Sequence, residues 1–423
     1  MKRSTLFRRP PAPTGADPTG TSTGTATGTG DSRLADFGYL ASDEVYLDAA
    51  CQSMRPQPVI DALTAYYTGY NACGGRVKYA WGQKVDAQVA DTRQAVLGLL
   101  GLSPRNHAVS FTLNTTYGLN LLLHQLPLGR YDRVVTSHIE HNSVFLPTIT
   151  AARRLGVERL VLDRATDGSL LYDPAQLEKA VVVVNATSNI DGRQLGNLAD
   201  LVRDTHARGG IVIVDAAQAM GHSRALLQKT EADAVCFSAH KMYAASLGVV
   251  VARHELLTSL DLGFVGGGMV SDVREDDFDL VQGDPAALLE PGLQAWGEII
   301  ALGRAIEWLG SIRPGGLAPA EHISALSSRL HDGLAAIPGL TLLNTEPSPV
   351  ISLYAPAQDS HRLAVFLSHS RISVRSGYFC AHHYLKEQLG LPPLLRFSLG
   401  LHSTESDIDT ATQALARLMK GLS

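Results

Sequence analysis

The stretch AVCFSAHKMYAASLGVVVAR (234–253) sets a lysine between two apolar runs. AVCFSA and GVVVA both read as short buried strands, and Lys241 follows the first of them with Ser238 and His240 beside it. A single lysine at a strand end is ordinarily a solvated surface residue. Here the apolar flanks carry the amine toward the interior, where an unused charge is costly. A desolvated lysine loses basicity and becomes a nucleophile toward carbonyl groups.

Working outward, similar runs recur on both sides: AVSFTL, DRVVTS, ERLVLD, AVVVVNA and GIVIVDAA. Stretches of helical spacing lie between several of them, as in TTYGLNLLLHQL, VFLPTITAARRLG and NLADLVRDTHARGG. This alternation predicts an α/β domain around a mostly parallel seven-stranded sheet. Residues 284–311 read as helical throughout. Beyond residue 320 a helix, short strands (LTLLN, PVISLYA, ISVRSG, LLRFSLG) and a last helix near 405–420 predict a smaller α+β domain. The expected division is a tail over 1–33, a large domain over 56–312, and a small domain made of 34–55 with 313–423.

The tail is rich in Thr, Gly and Pro and too poor in apolar residues to form a core, so disorder is expected. A transit peptide is the alternative, because the segment contains arginine and little acid, although it lacks an amphipathic stripe. The 423 residues are 45% hydrophobic with a net charge of −5, which gives no electrostatic case for nucleic acid. No apolar run is long enough to span a bilayer. Cys51, Cys73, Cys236 and Cys380 lie far apart, with no metal-ligand spacing, so no metal site is expected and a reducing, cytoplasmic setting is.

Parallel sheets bind ligands beyond the carboxyl ends of their strands. Polar residues follow the strand runs at Asn114–Thr116, Ser137–His141, Thr187–Asn189, Asp215–Gln218 and Ser238–Lys241. With the Lys241 amine, they suit an aldehyde cofactor, pyridoxal 5′-phosphate (PLP). Asp215 is a carboxylate for its pyridine nitrogen, although an N-cap role is also open to it. Asn114, Thr115 and Thr116 open a helix that suits a phosphate. His141 offers a flat face for the ring.

VDAAQAMGH (214–222) followed by CFSAHKMY (236–243) resembles the Asp-x-x-Gln and Ser-x-His-Lys signatures of fold-type I, class V PLP enzymes, and within them the cysteine desulfurase and selenocysteine lyase group. YLDAACQSMRPQPVIDAL, NTTYGLNLL, SHIEHNSVFLP, TSNIDG, VGGG, ISVRSGYFCAHH and LLRFSLG are similar blocks in the same order. The resemblance implies that Lys241 bonds the cofactor aldehyde and later moves protons. It implies that Asp215 pairs with the ring nitrogen, Gln218 with the ring hydroxyl, and His141 with the ring face. Ser238, His240, Thr115 and Thr116 would hold the phosphate. Asn189 and Arg396 would bind the substrate carboxylate, with Arg375 a second basic group near the mouth.

Cys380 matches the desulfurase nucleophile; Arg375, His382 and His383 are expected to supply positive charge beside it. Cys236, inside a strand, is expected to be inert. The implied reaction takes sulfur or selenium from L-cysteine or selenocysteine, giving alanine and a persulfide on Cys380. A homodimer and a sulfur-acceptor protein are implied with it. The chain departs from the family pattern at MYAAS (242–246), where Tyr-Gly-Pro is usual, and at Tyr378–Phe379, where two histidines are frequent. It departs again at Leu293, where a threonine commonly reaches the partner's phosphate. These changes leave open a C–S lyase, an epimerase or an aminotransferase on the same scaffold, as well as a non-catalytic binding protein.

Overall fold

A computed structural model describes residues 33–75 and 77–422. The predicted tail therefore lies outside the described residues except for Arg33, which donates to the Ala41 and Glu44 carbonyls and to Asp407 Oδ1.

Seven strands form the large sheet: β1 (His107–Thr112), β2 (Arg133–Ser137), β3 (Glu158–Leu162), β4 (Ala180–Asn185), β5 (Ile211–Asp215), β6 (Ala234–Ser238) and β7 (Gly248–Arg253). Their order is β1-β7-β6-β5-β4-β2-β3. Only β7 runs antiparallel to its neighbours, so six strands share one direction and their carboxyl ends lie along one edge. β4 and β5 are buried at every position, as near-continuous Val/Ile runs covered on both faces must be.

Helices α1 (Gln57–Gly69) and α2 (Ala80–Leu100) pack against a long later helix (Trp296–Ser311). Helices α3 (Thr115–His124), α4 (Asn142–Leu155) and α5 (Leu198–His206) follow β1, β2 and β4. Gly248 permits one close approach that shapes the site. A Cβ there would lie 2.3 Å from Thr112 Oγ1 and 2.5 Å from the Asn114 nitrogen, so only glycine lets the chain turn from β1 into α3 against β7.

The expectation of continuous helix over 284–311 is corrected. Pro285–Leu289 is a single 3-10 turn, and α-helix begins only at Trp296. Pro291 and Gly292, the latter with φ 88°, break the run. Glu290 is pulled into the large domain by Arg93 Nη2 at 2.7 Å and the Phe111 N–H at 2.7 Å.

The C-terminal part builds an antiparallel sheet from β8 (Thr341–Leu342), β9 (Val350–Tyr354), β10 (Arg375–Gly377) and β11 (Leu394–Ser398), in the order β8-β9-β11-β10. Val45–Tyr46 pairs in parallel with Ile372–Ser373, and Asp48 bridges to Ser398. This pairing brings residues 47–51 to the carboxyl edge of the large sheet.

Candidate active site

At that edge lies a cavity of about 300 Å³. The structure places twelve residues expected from the sequence on its wall: Lys241, Cys380, His141, Asp215, Gln218, Ser238, His240, Thr115, Thr116, Asn189, Arg396 and Arg375.

Lys241 leaves β6 in a tight turn whose geometry is fixed from below. Tyr243 adopts φ 69°, in the left-handed region that few side chains tolerate. It is held there by burial, by its N–H to Ser53 Oγ at 2.7 Å, and by its hydroxyl accepting from the Leu401 N–H at 3.0 Å. Here, in the first departure from the family pattern, Ala244 and Ala245 are buried beside it. Burial lowers the Lys241 pKa and Arg396 lowers it further, while Asp215 opposes them. The amine thus opens onto the cavity and is easier to discharge than a solvated lysine.

Asp215 ends β5, in register with Asn185 of β4 and Cys236 of β6. Burial pushes its pKa up to about 6, against the Ala217 N–H and Lys241, which favour the carboxylate. His141 caps α4: its Nδ1 accepts the Ser143 N–H at 3.0 Å, which leaves the imidazole edge fixed and its face free. Burial, with Lys241 and Arg396 nearby, pushes its pKa down to about 3, so the ring is neutral. His240 is held near 4, first by burial.

The start of α3 is bound to the end of β6. Ser238 Oγ accepts the Thr115 N–H at 2.9 Å and lies 2.6 Å from Thr115 Oγ1, while Thr116 Oγ1 lies 2.6 Å from Ser143 Oγ. Hydroxyls and a helix N-terminus meet there, a setting for an anion.

Several polar atoms on this wall are buried without partners: both side-chain atoms of Asn185, Asn189 Oδ1, Gln218 Oε1 and Arg396 Nε. Buried polar groups are ordinarily satisfied. Their convergence on one cavity, together with an anion-binding helix start and a buried carboxylate, fits a polar aromatic group bearing a phosphate.

Arg396, 3% exposed, donates from Nη1 to the Asn189 carbonyl at 2.9 Å and from Nη2 to Asp48 Oδ1 at 3.1 Å. Asn189 Nδ2 donates to the Phe379 carbonyl at 2.8 Å. Phe379 and Cys380 have φ 48° and 57°, two consecutive side-chain-bearing residues in the left-handed region. The Asn142 N–H holds the Cys380 carbonyl at 2.6 Å, so this turn is clamped to the start of α4. Cys380 itself is exposed.

Each group expected to supply positive charge beside Cys380 has partners of its own. Arg375 turns to Asp48, with Nε at 3.0 Å from Oδ2, and to Cys51 Sγ at 2.8 Å. His383 stacks on Phe145 with ring centroids 4.3 Å apart, its Nε2 lies 2.9 Å from His138 Nδ1, and burial lowers its pKa. The His382 ring lies against Tyr378, and its Nδ1 is 3.4 Å from Asn142 Nδ2. Neither histidine lines the cavity. Leu293 is 79% exposed, turned to solvent.

Sequence reasoning missed Asn185, Asp48, Cys51 and Ser143, all near or on this wall. It also missed the buried pair beneath it, Arg164 Nη2 to Glu140 Oε1 at 2.7 Å. Glu140 Oε2 accepts the Asn185 N–H at 2.8 Å and so fixes the end of β4. Asn185 carried a signal, since it closes the run AVVVVN as Asp215 closes IVIVD. Among the described residues, no cluster of three or more His, Cys, Asp or Glu is placed to hold a metal ion. None of their helices is long and apolar enough to cross a membrane.

The fold and this site together define a class, and comparison with known proteins agrees: the model of the aminotransferase class-V family matches residues 45–410, and the chain belongs to that family. Within it, the chain is similar to cysteine desulfurase CsdA of Escherichia coli, at 28% identity over 91% of this chain and 96% of the relative. A probable cysteine desulfurase of Pseudomonas aeruginosa is 31% identical over 91% of this chain and 97% of its own length. The crystal structure of the Escherichia coli CsdA, in its S-sulfonic acid form, superposes with a TM-score of 0.81 at 26% identity, covering 91% and 97% of the two chains.

Proposed function

We propose that this chain is a PLP-dependent cysteine desulfurase, which takes sulfur from L-cysteine, or selenium from selenocysteine, to give alanine and a persulfide on Cys380. One observation carries the reading: a buried lysine of lowered basicity, a buried carboxylate, a buried arginine and an accessible thiol share one cavity.

PLP would be held by Lys241 at its aldehyde, Asp215 at its ring nitrogen, Gln218 at its ring hydroxyl and His141 on its face. Thr115, Thr116, Ser238 and His240 would take its phosphate. Bound there, it supplies an electron sink for charge developed at the substrate Cα. The chain's own residues do the rest. Arg396 and Asn189 orient the substrate carboxylate, with Arg375 at the mouth, and a guanidinium matches a carboxylate with two parallel bonds. Lys241 removes the Cα proton and returns a proton to the product. His141, whose basicity burial lowers, offers its ring to the cofactor face. Cys380 as thiolate attacks the substrate sulfur; the S–S bond forms as the Cβ–S bond breaks. Alanine leaves, and the sulfur stays on the enzyme.

By the family resemblance the enzyme works as a homodimer in a reducing, cytoplasmic setting and hands its sulfur to an acceptor protein. The test is turnover of L-cysteine with and without dithiothreitol, comparing the wild type with Cys380→Ala. Loss of alanine and sulfide in the variant is expected. Undiminished turnover would refute the role of Cys380, and pyruvate with ammonia in place of alanine would mark a C–S lyase.

A further inference from the structure

Cys51 lies on the cavity wall with Cys380 and Lys241, and the reaction just described gives it nothing to do. Its sulfur is fixed: Arg375 Nη2 donates to Sγ at 2.8 Å, and Asp48 holds the same guanidinium through Nε. Fixed cations beside partly accessible sulfur are the surroundings in which nucleophilic cysteines occur. Cys236, wholly buried in β6, has the opposite setting. Cys51 and Cys380 line the same cavity as Lys241 and reach it from different elements. On the same wall, the buried and unpartnered Asn189 Oδ1 and Arg396 Nε mark space built for a polar guest. The two thiols differ in shelter, Cys380 being exposed on its left-handed turn and Cys51 half-buried under Arg375.

We propose that Cys51 is a second sulfur carrier, charged by exchange from the Cys380 persulfide inside the cavity. Cys51 Sγ, as thiolate, attacks the outer sulfur of that persulfide. An S–S bond forms at Cys51, the S–S bond at Cys380 breaks, and the electron pair leaves on Cys380 Sγ. The proton remains on the transferred sulfur. No outside oxidant or reductant is consumed, and Cys380 is returned for a second turnover. The sulfur comes to rest where bulk thiols reach it less easily.

The relay rests on the desulfurase reading, and one experiment separates the two. Holoenzyme is given excess L-cysteine without reductant, quenched with an alkylating agent, and mapped by peptide mass; alanine is measured in parallel. The wild type is expected to carry sulfane sulfur on both Cys51 and Cys380. Cys51→Ser and Cys51→Ala should fall from two equivalents per chain to one, on Cys380. Cys380→Ser should carry none on either position. Label on Cys380 alone in the wild type overturns the relay and leaves desulfuration standing. Label on Cys51 that survives Cys380→Ser overturns it too, because Cys51 would then attack the substrate directly. A Cys51–Cys380 disulfide with free sulfide overturns it likewise. Absence of both label and alanine overturns desulfuration and the relay together.

Discussion

Asp48 receives two arginines: Arg396 Nη2 at 3.1 Å on Oδ1 and Arg375 Nε at 3.0 Å on Oδ2. One carboxylate from the N-terminal segment thus pairs with both a buried guanidinium on β11 and a half-exposed one on β10, which leaves one positive charge in excess. Breaking a buried pair costs more when the charge left behind is the buried one. Asp48→Ala strands Arg396 and should destabilise by about 3 kcal/mol or more. Arg396→Met leaves Asp48 still paired with Arg375 and should cost clearly less. Urea unfolding of the two variants checks the order, and the reverse order would show that the Arg375 contact carries the energy. Arg396→Lys keeps the charge without the fork, and should raise the KM for cysteine on the order of tenfold or more.

His141 has two separable duties, capping α4 through Nδ1 and presenting its face to the cavity. Asparagine caps helices well and has no ring. His141→Asn should therefore stay within about 0.5 kcal/mol of wild-type stability, while His141→Ala loses about 1 kcal/mol. Both should weaken cofactor retention by a similar factor, on the order of tenfold, the worth of an aromatic stack. Dissociation measured by absorbance against unfolding measured by urea distinguishes the two duties. Wild-type retention in His141→Asn would remove the stacking role.

The thiols should react with an aromatic disulfide reagent in an order set by their surroundings. Cys73 and Cys380 are exposed and should react in the first phase, and Cys51, half-buried, in a slower one. Cys236 is wholly buried and burial pushes its thiol up, so it should react only in denaturant. Early reaction of Cys236 would mean that β6 opens in the native state.

What the sequence made legible follows from where each residue's partners lie. Asp215, Ser238 and Lys241 stand out because β5 and β6 are apolar until they stop, and local pattern alone marks such ends. Asn185 ends β4 by the same rule. Asp48 and Cys51 have no such mark: their segment contains a strand of only two residues, Val45–Tyr46, and Asp48 meets Arg375 from 327 positions away. The Glu140–Arg164 pair depends on the neighbouring order of β2 and β3, which composition does not encode. The 284–295 stretch has helix-forming residues, yet the tertiary hold of Arg93 on Glu290 and the Pro291–Gly292 break override them.

Asp215 should make the cofactor-free protein sensitive to pH in an unusual direction. Its folded pKa, about 6, stands above the ordinary 3.8, because burial disfavours the carboxylate. Between those values the folded form binds more protons than the unfolded one, so stability falls as pH rises, and the whole penalty is present above about 6. The gap corresponds to roughly 3 kcal/mol as an upper bound. The attraction of Lys241 and the Ala217 N–H is already contained in that gap and keeps it from being larger. Asp215→Asn removes the charge and keeps an oxygen for the Ala217 N–H, which Asp215 Oδ1 accepts at 2.9 Å. Without cofactor, the variant should be more stable than wild type at pH 8, and the difference should close as pH falls through about 6 toward 4. Its affinity for PLP should fall at the same time, because the ring nitrogen loses its counter-charge. Urea midpoints of the two cofactor-free proteins across that range test the sign. A variant less stable than wild type at pH 8 would mean that the carboxylate is held by partners strong enough to outweigh its burial.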